Sequence, residues 1–409
     1  MTEGIFLGNS TSKESVSIFF LLLCLMGLFA IFSSTMSKNP ALPLFADSIG
    51  TPEYLLGIVA AASTIPGILI SLPAGSLSDV FGRKKILILS SIIFASAPFL
   101  YLLVAVPWQL IIIRFYHGFA TALFVPVANA AIAERFSKRR GEKLSIFSSV
   151  TIVGRTIAPF LGGYILSATS SNFNDLYVSV GLAGVIALLV AMMLPGKGSA
   201  KNEEQVVQKM KESEGFHVFL SNWKEVFQKR GILVASAVES VMYYTFGAFE
   251  FFLVLYAQSI GLDETLIGAI AGLQLVTIAI SKPFMGRLSD RIGRRIPIII
   301  GLITSSVPLI VTSLTTSFFD LIAVSVVYGL GFSLVTSSTV ALVSDLTSKE
   351  LYGASMGFLS TIMDVGQASG PIITGFILAT SAGFFGAFIA LGGILLVFSV
   401  FFSITTRGR

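Results

Sequence analysis

Gly75-Ser-Leu-Ser-Asp79-Val-Phe-Gly82-Arg83-Lys84-Lys85 is a charged, glycine-marked hairpin between two long apolar runs, and it occurs twice. The second copy reads Gly286-Arg-Leu-Ser-Asp290-Arg-Ile-Gly293-Arg294-Arg295. From Asp79 to Asp290 is 290 − 79 = 211 residues, and from Gly75 to Gly286 it is 211 again. A loop with so distant a copy implies a chain built twice.

The echo extends well beyond the hairpin. Phe45-Ala-Asp-Ser-Ile-Gly50 pairs with Tyr256-Ala-Gln-Ser-Ile-Gly261, and Glu53, Leu55, Gly57 and Ala60 pair with Glu264, Leu266, Gly268 and Ala271. Gly118 pairs with Gly329, and Glu134 with Asp345. After a one-residue insertion, Gly154, Pro159 and Gly163 pair with Gly366, Pro371 and Gly375.

The solvent of this chain is lipid. It is 54% hydrophobic and 12% charged, with a mean hydropathy of +0.87, whereas soluble domains carry about 25% charged residues. Crossing a hydrocarbon core of about 30 Å takes about 20 apolar residues. Twelve candidate spans lie near 16–47, 54–77, 86–106, 109–133, 144–168, 176–195, 231–258, 264–288, 296–315, 318–344, 353–380 and 384–405. The first is too long to be one straight helix, and Pro40 and Pro43 predict a bend in its outer half.

Of the 27 lysines and arginines, Lys38, Arg114, Arg155 and Lys282 fall inside spans. All the others lie at the termini, in loops 82–85, 135–143, 197–230 and 287–295, or at Lys349. The opposite loops carry Glu53, Asp175, Asp263, Glu264 and Asp320 instead. The positive-inside rule then puts both termini in the cytoplasm of a multi-pass cell-membrane protein. It also accounts for the net charge of +5 without nucleic acid. The single cysteine, Cys24, excludes an intrachain disulfide.

Residues 1–195 form a first six-helix bundle and 231–409 a second, joined by a cytoplasmic linker, 196–230. Lys197 to Glu214 reads as solvated connector. Phe216, Phe219, Leu220, Trp223, Val226 and Phe227 recur at helical spacing and read as a helix on the membrane surface. Since 211 residues hold an even number of spans, the halves share one orientation about an axis along the membrane normal, with a central site between them.

The doubled signature G-x-L-S-D-x-x-G-R-[RK], after the second and eighth spans of a six-plus-six chain, resembles the major facilitator superfamily over nearly its whole length. That resemblance implies an all-α fold of two pseudo-symmetric bundles. It also implies alternating access, with Gly75, Asp79, Gly82, Arg83 and Glu134, and their copies Gly286, Asp290, Gly293, Arg294 and Asp345, as a conformational latch. In physical terms, Gly75 and Gly286 permit close helix approach. Asp79 and Asp290 accept bonds from the following arginines, and Arg83 and Arg294 can reach Glu134 and Asp345.

Gly154-Arg155-Thr-Ile-Ala158-Pro159-Phe-Leu-Gly162-Gly163 in the fifth span is similar to the G-x-x-x-G-P-x-x-G-G signature of drug/proton antiporters, with Ala158 in place of the second glycine. Gly366, Pro371 and Gly375 carry a related pattern in the eleventh. Proline and small residues let these helices bend or rock. Arg114-Phe-Tyr-His-Gly118 resembles the family's R-x-x-x-G element, associated with proton coupling. The equivalent residue in the second half is Ser325, so the arginine belongs to one half only. An arginine inside a span should line a wet cavity or meet an acid.

The remaining intramembrane charges complete the candidate proton and substrate cavity: Lys38, Arg114, Arg155, Glu239, Tyr243, Glu250, Asp364 and Gln367. The repeat equivalent of Lys38 is residue 249, so Lys38 and Glu250 are expected to oppose each other near the midplane. Glu239 precedes Glu250 by eleven residues, and eleven steps of 100° return to within about 20°, so both share a face. Lys282 either serves the cavity or snorkels to the surface. Arg155 and Asp364 either face the cavity or form a structural pair.

These features favour a secondary transporter, specifically a proton-coupled antiporter exporting small amphipathic or hydrophobic compounds. The alternatives are an importer or exchanger of an organic anion, sugar or other metabolite, and a lipid flippase of the same fold. The excess of intramembrane cations supports an anion. No nucleotide loop, metal-spaced cluster or nucleophile elbow supports an enzyme or a cofactor, and a channel has no need of two latch loops. The expected partners are a small molecule, protons and the bilayer, with the chain acting as a monomer.

Overall fold

The computed structural model describes residues 4–136, 139–195, 225–348 and 351–407, and every regular element among them is helical. Fourteen helices of eight residues or more follow in order among the described residues. They are α1 (Gly4–Met36), α2 (Ala41–Ser48), α3 (Glu53–Ala61), α4 (Ile65–Phe81), α5 (Arg83–Tyr101), α6 (Pro107–Arg135), α7 (Arg140–Ala168) and α8 (Phe173–Met193). The second half holds α9 (Arg230–Ser259), α10 (Glu264–Ile292), α11 (Arg295–Thr312), α12 (Phe318–Asp345), α13 (Tyr352–Leu378) and α14 (Gly383–Thr405).

These make twelve spans, because the first two spans are each broken in two. The first breaks at 37–40, as its prolines predict: α2 restarts at Ala41 beyond Pro40. The second breaks at 62–64, which the sequence reading of a continuous 54–77 run did not anticipate. Pro66 lies in the first turn of α4, and its missing N–H cannot close a helical bond to the carbonyl of Ala62. Eleven of the spans are apolar enough to cross a membrane on length and composition. Span 11 (α13) is as long, at 27 residues, but is diluted by Asp364, Gln367 and a run of small residues.

The duplication is visible in the packing. Helix α1 packs on α7 and α8 as α9 packs on α13 and α14, and α4–α6, α5–α6 and α5–α8 are matched by α10–α12, α11–α12 and α11–α14. The outer surface is apolar, with Leu21, Leu69, Leu182, Val397 and Ile404 all exposed, as a protein solvated by lipid requires.

The two ends differ chemically. One carries the basic hairpins. At the other, the acids sit where helices begin: Glu53, Asp175, Glu264 and Asp320 occupy first turns, and Asp263 accepts from Leu266 N at 3.0 Å as an N-cap. Negative charge at a helix N-terminus is favourable, so these residues have a structural reason to be acidic.

In the hairpins the turn is made by Gly82 and Gly293, at φ +89° and +84°, a conformation that favours glycine. A Cβ on Gly286 would meet only Ser337 Cβ, at 3.9 Å. The expected close helix approach at Gly286 is therefore absent, and the constrained glycine is Gly293. Of Gly75 and Asp79 only the helical backbone, within α4, is described; residues 196–224 with their aromatic stripe from Phe216 to Trp223, and Lys349, lie outside the described residues. Just beyond that stretch, Val226 packs among Ile232, Ala235, Val343, Phe358 and Leu359.

Candidate functional site

The halves meet along two seams, α7 against α10 and α3 against α13. Both seams are made by small residues. A Cβ on Gly163 would lie 2.3 Å from the Glu264 carbonyl oxygen, and one on Gly57 would lie 2.0 Å from that of Pro371. Gly268 faces Pro159, and Gly375 faces Glu53 and Gly57. Every one of these contacts lies in the half of the molecule nearer the acidic end. Each cross-half hydrogen bond between described residues likewise lies in the middle or at the acidic end: Lys38–Glu250, Asn39–Glu250 and Ser171–Glu264. Among the described residues, then, the halves are joined at the acidic end and are parted at the basic end.

The helix-bending candidates belong partly to this seam. Pro159, Gly163 and Pro371 lie on it, while Gly154 packs against the Leu28 carbonyl and Gly366 against that of Ser240, inside their own halves. Helices α7 and α13 run unbroken through their prolines.

At the centre, Lys38 Nζ lies 2.6 Å from Glu250 Oε2. The break in span 1 frees Lys38 from the helix and turns it towards α9. Asn39 Nδ2 donates to the other carboxylate oxygen at 3.3 Å. Asn39 and Glu250 are repeat equivalents (250 − 39 = 211), and residues related by a pseudo-two-fold axis touch only where they lie on it. Asn39 was missed by the sequence reading, although the offset itself was the signal. Glu250 also lines a small crevice with Gln274, whose Nε2, like Asn39 Oδ1, is buried without a partner.

Glu239 does not share this environment. It is buried in its own half and accepts a hydrogen bond from Thr339 of α12, so the common face expected for the two acids leads to different neighbours. One turn on, Tyr243 packs edge-on against Phe332 at 5.2 Å and beside Phe246, whose ring lies 4.7 Å from Phe332. Glu239, Arg155 and Asp364 all act electrostatically on Tyr243. Gln367 packs its backbone and Cγ against Gly247. Arg155 and Asp364 form no ion pair with each other, so the structural-pair alternative is excluded for this conformation. Arg155 and Lys282 are both exposed, and each lies in the field of the other.

Arg114 corrects its expectation. It is 3% exposed and meets neither a wet cavity nor an acid among the described residues. Its guanidinium donates to Ser63, in the break of span 2, and to Tyr101 Oη at 3.5 Å. Its Nε, His117 Nε2 and the Tyr177 hydroxyl are buried without partners.

At the basic end, Arg83 Nε reaches Glu134 Oε2 at 3.5 Å, and Arg294 Nε reaches Asp345 Oδ2 at 2.9 Å. Arg294 also binds Asp290. Hydrogen bonds donated to Asp345 and Asp290 hold the Arg294 guanidinium above its ordinary range. Both pairs join residues of a single half, so neither by itself ties the halves together.

A duplicated all-α bundle in lipid, with charged side chains gathered on the seam between its halves, defines a membrane transporter. The chain belongs to the Major Facilitator Superfamily, whose profile matches residues 23–258 and 235–408. It is 25% identical over 340 residues to an uncharacterized MFS-type transporter of Methanocaldococcus jannaschii, covering 83% of this chain and 86% of that one. It is 24% identical to a multi-drug resistance efflux pump PmrA homolog of Lactococcus lactis, over 85% of each chain. In fold it is similar to an inward-facing, unoccupied bacterial homolog of the lysosomal transporter Spinster. That likeness has a TM-score of 0.76 and 16% identity, and covers 96% of this chain and 95% of the other.

Proposed function

We propose that this protein is a cell-membrane antiporter that exports small amphipathic or hydrophobic compounds in exchange for protons, with its basic end and both termini in the cytoplasm. The observation that carries this reading is the Lys38–Glu250 pair, 2.6 Å long and spanning the two halves. In that orientation the parted end faces the cytoplasm and the pair belongs to the sealed outer side.

The pair joins the two halves, so closing the acidic end makes it and opening that end breaks it, which ties the position of the halves to the charge pairing at their centre. Export is favoured over import by the fifth-span signature and by the likeness to a multi-drug resistance efflux pump. The half-buried Tyr243 and Phe246 rings, backed by buried Phe332, offer an apolar surface for the cargo.

The test is reconstitution in proteoliposomes containing an internal pH dye, challenged with a panel of amphipathic dyes. Transport should consume an imposed pH gradient, and Glu250→Gln should uncouple the two while preserving dye binding. Flux indifferent to the gradient in wild type and Glu250→Gln alike would sink the proposal.

A further inference from the structure

Two cations beside the seam, Arg155 and Lys282, form no ion pair among the described residues, although Glu239 acts electrostatically on Lys282. Arg155 lies on α7 one and two turns before Pro159 and Gly163, which both rest on α10. Residues at i, i+4 and i+8 form one stripe. Arg155 therefore points at α10 on the side where the seam has opened. Lys282 follows Gly268 on α10 by 282 − 268 = 14 residues, and fourteen steps of 100° come within about 40° of whole turns, so it faces back towards α7. The two lie in each other's field, are exposed, and come from opposite halves.

No acid among the described residues pairs with either of them. Glu250 is held by Lys38 and Asn39, and Glu239 is buried on Thr339. Asp364, on α13, forms no ion pair. Sealing the basic end would rock the halves together and drive two like charges towards one another; Glu239 offsets one of them, and an anion between the two would offset the other. Arg155 acts electrostatically on Tyr243, whose half-buried ring packs beside that of Phe246, with Phe332 buried behind them.

We infer that Arg155 and Lys282 bind the anionic group of the substrate between the two halves, with its apolar body on the Tyr243 and Phe246 rings, so that the cargo is an amphipathic organic anion such as an aryl carboxylate. This rests on the transporter reading above and narrows its substrate class. The guanidinium presents a planar fork that matches a carboxylate, and the ammonium adds a point charge from the other side. A ligand that bridges the halves favours the closed arrangement through its own differential binding.

The experiment uses the full chain, purified and in proteoliposomes, with three probes of one shape: 1-naphthoate, its neutral carboxamide and 1-naphthylmethylammonium. Naphthoate should bind at least tenfold more tightly than the carboxamide. Arg155→Gln and Lys282→Gln should each weaken naphthoate at least tenfold without changing the carboxamide, and Arg155→Lys should retain part of the affinity. The two glutamine variants are independent, and the unchanged carboxamide affinity reports that each is folded. Tightest binding of the ammonium, or unchanged naphthoate affinity in the double variant, overturns the inference. If the ammonium or the carboxamide is transported at the expense of a pH gradient while naphthoate is not bound, the anion site fails and the antiport reading survives. If no probe and no dye moves with the gradient, both fail.

Discussion

Glu250 shares its carboxylate between a lysine at 2.6 Å and an asparagine at 3.3 Å, and both come from the break in span 1. Removing one member of a buried pair leaves a charge without compensation, which costs about 3–5 kcal/mol when both partners are fully buried. Glu250 is 8% exposed and Lys38 27%, so the expected loss for Lys38→Met or Glu250→Gln lies at or below the lower end of that range. The double variant should be more stable than either single one, because it removes both charges. Unfolding of the four proteins in detergent checks this as a double-mutant cycle, and strictly additive losses would refute the coupling. The pair was legible in the sequence because the 211-residue offset placed Lys38 one position from the equivalent of Glu250. The surroundings of Glu239 were not legible, because helical phase tells which face a residue occupies and not which neighbour stands there. The hairpin glycines show the same limit. Four were visible by repetition, but that Gly82 and Gly293 carry the positive φ, and that Gly286 is loosely packed, is a matter of backbone angle and neighbours.

Among the elements, the seams between α7 and α10 and between α3 and α13 depend on the absence of side chains. A Cβ on Gly268 would lie 2.5 Å from the Pro159 carbonyl oxygen, and backbone does not yield as a side chain does. Overpacking costs about 1–3 kcal/mol, which moves a two-state equilibrium by about 5- to 150-fold. Gly268→Leu should therefore shift the molecule away from the conformation described here. Spin labels at Asn174→Cys and Thr265→Cys, in a Cys24→Ser background, should report a longer acidic-end distance in Gly268→Leu than without it. An unchanged distance distribution would mean that the seam tolerates the side chain. The spans themselves were readable from apolar run length, and the break in span 1 from Pro40 and Pro43. The break in span 2 escaped because its prolines, Pro66 and Pro73, are equally compatible with a kinked continuous helix. That break positions Ser63 under Arg114, so the missed element and the misread residue have one cause.

For the whole molecule, the sequence defines two halves and an axis but not the angle between them, since both ends of the alternating cycle are made by the same residues. The hairpin pairs illustrate this: Arg83–Glu134 and Arg294–Asp345 are each internal to a half, and exposed ion pairs of this kind contribute about 0–1 kcal/mol. What holds the acidic end shut is therefore the small-residue seam with its few cross-half bonds. If transport requires that end to open in every cycle, tying it shut must stop transport without harming the fold. Ser171 hydrogen-bonds Glu264 across the halves, which brings the two positions within reach of a short thiol cross-linker. Ser171→Cys with Glu264→Cys, in a Cys24→Ser background, should lose substrate flux when cross-linked and regain it on reduction, while each single variant remains active under the same treatment. A cross-linked protein that still transports would show that the seam stays closed throughout, and that substrate crosses by a route other than between the halves.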